Sequence, residues 1–261
     1  MRATAVRRTA LAASVATLAL LATACGGSDS STKGDDAKGG AKEGAAEKPA
    51  ATALTAAELE KASLKQGDVK AHKISKGGPE DTVAAADVVV DKEECAPLAR
   101  ALYGAEEGKP TAATKRKVVS EPKTEEAAST EDMEDALTAA FDLTSTLVSL
   151  SSFDGATAEG NVADLRKAAT DCAGGFSITM AGDKQQVTKI TEEKTSGGEE
   201  ALAWTLDVTQ GGQKVPMKLV VLRQGGTVAT LTSFNLASMS GKEVTFELPA
   251  DVIAAQAAKL A

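Results

Sequence analysis

The chain has 261 residues, with 29 Lys and Arg set against 37 Asp and Glu for a formal charge of −8. Five Phe, one Trp and one Tyr are its aromatic residues, and it has one His. An acidic surface repels phosphate backbones and anionic headgroups, and so few rings leave little to stack on bases or sugars, so nucleic acid is excluded as a natural partner.

The N-terminus carries the strongest signal. Met1 to Gly27 reads MRATAVRRTALAASVATLALLATACGG: Arg2, Arg7 and Arg8, then an uncharged and mostly apolar run from Ala10 to Ala24, then Cys25 behind small residues. Positive charge stays on the cytoplasmic side while the apolar run enters the bilayer. The run is about 15 residues, short of the roughly 20 that span as a helix, so residues 1–24 read as a cleaved signal peptide rather than an anchor. Its tail, Leu21-Ala22-Thr23-Ala24-Cys25, resembles a lipobox, with Ala22 where that pattern usually has leucine; Gly26-Gly27-Ser28 is similar to the residues behind the cysteine in actinobacterial lipoproteins. The resemblance implies that Cys25 is acylated, with palmitate-type chains, and becomes the first mature residue, tethering the protein to the extracellular face of the cell membrane. One chain alone binds a membrane only marginally, whereas two or three hold firmly. An ordinary secretory signal cleaved after Ala24, with Cys25 free, is the other reading. Arg7-Arg8 leave both the general and the twin-arginine export routes open. Losing the signal's three arginines takes the formal charge from −8 to −11.

Residues 25–53 are rich in Gly, Ser, Ala and charge and lack large apolar side chains up to Thr52, which predicts a disordered tether with a mean reach of about 30 Å. Residues 54–261 are enough for one domain with a real core. With Cys25 acylated, Cys95 and Cys172 remain as an even pair outside the cytoplasm, where a disulfide is the natural reading and two buried thiols the alternative. The bridge would close a loop of about 78 residues, worth roughly 4–5 kcal/mol on the chain-entropy account. One His and no CxxC spacing argue against a metal site.

Along the domain, Thr55 and Glu58 are placed as a capping box for a short helix whose Leu59 and Leu64 face inward. Val69 to Ile74 alternates as a strand ending before Gly77-Gly78-Pro79, with His72 on its polar phase as a solvated residue. Val83 to Val90 is apolar and β-branched. A helix is expected from near Cys95 to Leu102, stopped by Gly104, with Glu93 and Glu94 favouring its dipole. Lys115 to Ser120 reads as a strand. Glu131-Asp132-Met133-Glu134-Asp135 lacks the glycine and spacing of a calcium loop and reads as a solvated acidic turn. Leu137 to Leu147 alternates with period two, predicting a half-buried strand, with a helix over Met133 to Phe141 as the competing reading. After the break at Phe153-Asp154-Gly155, a helix is expected over Asn161 to Ala173 with Val162, Leu165, Ala169 and Cys172 inward, ended by Gly174-Gly175. From Phe176 the pattern is all strand: Phe176 to Met180, Val187 to Ile190, Leu202 to Val208, Val215 to Leu222 and Val228 to Leu236, with Gly211-Gly212 and Gly225-Gly226 as hairpin turns and Val244 to Leu248 as a further edge. A C-terminal helix after Pro249 carries Val252, Ile253, Gln256, Ala257 and Leu260 as a core-packing stripe. The sum is an α+β fold: an antiparallel β-sheet meander with helices packed on one face and one disulfide.

No catalytic constellation stands out. GxSxG, P-loop and HExxH are absent, no pair of the acids is marked, and Arg223, at the end of an apolar strand, reads as an edge-strand gatekeeper sooner than an anion contact. The segments NVADLRKAATDCAGGF, GGEEALAWTLDV and LVVLRQGGTVATLT, with ECAPLARAL earlier, resemble the second half of actinobacterial sensor-domain lipoproteins and the extracellular domain of PknH-type serine/threonine kinases. That resemblance covers roughly residues 54–261. It implies a helix ending in cysteine, an antiparallel meander and a cleft that binds an unidentified ligand without catalysis; it carries over no ligand-binding residues, and the family's usual two disulfides reduce here to one. The expected function is a lipid-anchored, non-catalytic binding or sensing module at the cell envelope, taking a small molecule, a lipid or an envelope protein and needing no cofactor. The alternative is a lipid or glycolipid carrier, which would need an apolar cavity of ~1,000 Å³ or more.

Overall fold

The structure, a computed structural model, describes residues 51–122, 141–240 and 244–261. They belong to a compact unit running from Lys48 to Ala261. The signal peptide, Cys25, most of the tether and the acidic run Glu131–Asp135 lie outside the described residues.

Four helices and nine strands come in the order α1 (Ala56–Ala62), β1 (His72–Lys76), β2 (Val89–Val90), α2 (Ala96–Leu102), β3 (Ala112–Ser120), β4 (Thr144–Ser152), α3 (Thr157–Asp171), β5 (Phe176–Met180), β6 (Asp183–Glu193), β7 (Glu200–Gln210), β8 (Gln213–Gln224), β9 (Thr227–Asn235) and α4 (Ala250–Leu260), counting the described residues. The strands make one sheet in the order β1-β3-β4-β9-β8-β7-β6-β5-β2. Every pairing is antiparallel. The α+β class is as expected. Strands β5 to β9 are a true meander, but β9 then pairs with β4, and β1 and β2 form the two edges.

Local sequence explains the element ends. Thr55 caps α1 and exchanges hydrogen bonds with Glu58, satisfying two amides that the first helical turn leaves unpaired. Leu59 and Leu64 are fully buried, as their spacing predicts. Strand β1 begins later than expected because Ala71 takes a left-handed turn (φ 53°) just before it. Helix α3 begins four residues earlier than Asn161, because Ala158 is small enough to bury in the core. Strand β4 starts only at Thr144, so the described part of the alternating stretch before it, Phe141 to Leu143, is not strand, and Phe141 is exposed.

The helices do not lie on one face, as the sequence suggests, but on both. The reason lies in β8, where Lys218 to Arg223 is buried at every position. A strand apolar on both phases needs cover on both sides. Leu219 and Val221 pack with Leu98, Leu102, Val162 and Leu165 from α2 and α3. Val220 and Leu222 pack with Leu59, Val252 and Ile253 from α1 and α4 on the other side. Gln256 of α4 donates from Nε2 to the Ala62 carbonyl at 2.9 Å, tying that helix to α1. Residues 244 to 248 are not an edge strand either. Leu248 packs against the α1–α4 core, and the Phe246 ring sits 5.6 Å from the Lys218 ammonium as a cation–π contact. Both edges of the sheet are taken by other strands.

On the first face, Cys95 at the start of α2 and Cys172 at the end of α3 are joined by a disulfide, with Cα atoms 5.9 Å apart and a sequence separation of 77. It clamps α2 and α3 together above the sheet.

Candidate ligand-binding cleft

Helix α2 is only seven residues long, and its shortness opens a cleft. Pro97 sits in its first turn, and Gly104, with φ +62°, stops it in a conformation that favours glycine. A side-chain carbon at Gly104 would lie 2.7 Å from Leu147 Cδ2, so the chain must turn here without one. Beyond that turn, no helix among the described residues covers the adjoining part of this sheet face.

The uncovered area is a cleft of about 590 Å³. Its floor is read from the register of four adjacent strands. Lys117 of β3, Leu147 of β4 and Thr232 of β9 are in one cross-strand row. Val119, Ser145, Phe234 and Met217 form the next. Leu102 of α2 and Tyr103 just after it close one side; Glu80, Asp81 and Val83 wall another.

Most polar side chains of the cleft are already engaged; the Ser145 hydroxyl on its floor is the exception among the described lining residues. Lys117 Nζ is 2.9 Å from Asp81 Oδ1 and 4.0 Å from Glu80. Burial pushes the Asp81 carboxyl up, but the Lys117 ammonium and the Gly78 amide outweigh it and hold it below its ordinary value. The same hydrogen bond raises Lys117. Lys115 Nζ donates to the Asp81 carbonyl at 2.9 Å, fixing the Pro79–Asp81 turn against β3. The Tyr103 hydroxyl donates to Gln185 Oε1, and burial pushes its phenol up to about 12. Thr232 Oγ1 donates to the Ala101 carbonyl at 3.2 Å.

The residues singled out in the sequence fall elsewhere. Cys95 and Cys172 are the disulfide, a framework feature. His72 is partly exposed, and its Nδ1 donates to the Lys70 carbonyl at 2.7 Å. Arg223 is no gatekeeper, because β8 is a central strand. The residue is buried, 8% exposed, and its guanidinium reaches Glu199 at 2.8 Å and Glu200 at 3.1 Å. Arg166 of α3 also reaches Glu200, at 2.6 Å, so the cluster fastens α3 to the sheet. Among the described residues, no three His, Cys, Asp or Glu side chains gather as a metal ion would need. The cleft residues are not legible in the sequence because they come from separate segments; the one hint is Leu147, an apolar residue on the opposite phase of β4 to the buried Val148 and Leu150.

No family model matches the chain, and no curated protein matches it at a significant level. Among solved structures, it is similar to the extracellular domain of PknH from Mycobacterium tuberculosis at 12% identity and a TM-score of 0.45, over 80% of this chain and 95% of that one. It is also similar to an uncharacterized protein from Mycobacterium smegmatis, the Rv0999 ortholog, at 9% identity and a TM-score of 0.32, over 78% of this chain and 94% of that one.

Proposed function

We propose that this chain is a non-catalytic binding or sensing module on the extracytoplasmic side of the cell envelope, held on the membrane by acylated Cys25, with the cleft beside α2 as its ligand site. The observation that carries this reading is the cleft itself: about 590 Å³ of mostly apolar space over ordered strands, within the usual range of small-molecule sites. Its polar groups support binding over turnover. Lys117 is neutralised by Asp81, and Tyr103 is a phenol too weakly acidic to act as a base near neutrality.

The apolar lining also favours the second reading, a lipid carrier. Its volume falls short of the ~1,000 Å³ or more expected for a lipid or glycolipid carrier, which ranks the carrier second. The test is binding of Nile red, a neutral apolar dye, to the full chain and to its Ser145→Trp variant. Ser145 is half-buried on the cleft floor, and the indole fills the space. Saturable binding to one site, lost in the variant, is the expected result. Absence of saturable binding, or equal binding by the variant, overturns the reading.

A further inference from the structure

We infer that the cleft takes an uncharged amphiphile with a single chain, whose polar head donates hydrogen bonds. The inference rests on the reading of the cleft as the ligand site and adds the ligand's class. Three observations converge on it.

The first is shape. Val83, Leu102, Val119, Leu147, Met217 and Phe234 surround the space with flexible or flat apolar groups. Methionine adapts to chains of varied form, and about 590 Å³ suits one chain better than two. The second is charge. Among the described lining residues Lys117 is the cation, set against Asp81 and Glu80, while Lys115, outside the lining, spends its ammonium on the Asp81 carbonyl. A carboxylate or phosphate head would have to pull Lys117 from Asp81 and then lie beside the largely exposed Glu80. Like charges placed together in that way disfavour the wrong ligand strongly. The third is hydrogen-bond polarity. The hydroxyl protons of Tyr103 and Thr232 are both donated to protein acceptors, leaving their oxygens as acceptors, while the Ser145 hydroxyl of the floor can donate or accept. A hydroxyl-bearing head, such as that of a monoacylglycerol, complements all three; an acceptor-only carboxylate matches Ser145 alone.

The test is displacement of Nile red from the full chain at neutral pH by three probes with the same acyl group: monooleoylglycerol, oleate and dioleoylglycerol. Monooleoylglycerol is expected to displace the dye at a concentration about tenfold or more below that of oleate, with dioleoylglycerol the weakest. Oleate equal to or better than monooleoylglycerol, or dioleoylglycerol equal to it, overturns the inference while leaving the cleft standing as a site. Dye binding indifferent to Ser145→Trp instead defeats the cleft reading itself. Glu80→Gln, alone and with Asp81→Asn, tests the charge argument. Oleate is expected to gain about tenfold in the double variant with monooleoylglycerol unchanged. Should Asp81→Asn weaken dye binding by loosening its turn, Glu80→Gln alone must still favour oleate; no gain in either variant overturns the charge argument.

Discussion

Tyr103 is the sole tyrosine of the chain, which makes its ionisation directly observable. Burial raises its phenol from the ordinary 10.0 to about 12. For an acid whose folded pKa is raised, the stabilisation is complete below the unfolded value and is lost as pH climbs from about 10 through about 12. An alkaline spectral titration should therefore give a tyrosine midpoint near 12 in the folded chain and near 10 in denaturant; a folded midpoint at the ordinary value would remove Tyr103 from the buried wall of the cleft. Glu60 has the opposite sign. Arg116 first, at 2.8 Å, and then Lys76, at 2.8 Å, hold its carboxyl down at about 2, against 4.5 unperturbed. Its contribution is present above about 4.5 and is lost as pH falls toward about 2. Glu60 is part-exposed, so the effect is modest. Glu60→Gln should flatten the fall of urea-unfolding stability across that acid window; an unchanged slope would show that the pairing contributes nothing.

At the scale of elements, the disulfide between α2 and α3 closes a covalent loop with a sequence separation of 77. Replacing both Cys95 and Cys172 with alanine should lower the unfolding free energy by about 2–5 kcal/mol. Reversible denaturation checks it, and a loss under ~1 kcal/mol would show that packing of α2 on α3 holds without the bridge. These elements are largely legible in the sequence. The capping box at Thr55, the helix stop at Gly104 and the run of strands from Phe176 to Phe234 all depend on neighbours a few residues apart, and they appear where local chemistry puts them. The misplacements have tertiary causes. Helix α3 extends back through Gly160, a residue that disfavours helix, because Ala158 gains burial there. Residues 244 to 248 alternate like a strand but have no edge to join, so Phe246 and Leu248 fold onto the sheet face instead.

Across the whole molecule, long-range pairing decides what local pattern cannot. Strand β4 meets β9, joining Thr144 to Asn235 and Ser152 to Thr227, far apart in the chain. Nothing in either segment announces that partner. The fully buried run in β8 requires two covered faces, which a one-sided helix layer cannot supply. The cleft is least legible of all. It exists because α2 ends early over a sheet whose floor residues come from β3, β4, β8 and β9, so only the assembled register brings Lys117, Leu147, Met217 and Thr232 together. The proposed address at the membrane rests on a different part of the chain, Met1 to Cys25, and is independent of the cleft. One measurement reaches both: native mass spectrometry of the full chain taken from its own membrane. The account predicts acyl mass on Cys25 and, in addition, one non-covalently held uncharged single-chain molecule per protein, absent from the Ser145→Trp variant. A chain with an unmodified Cys25, and with no bound molecule or one that the variant retains, would contradict it.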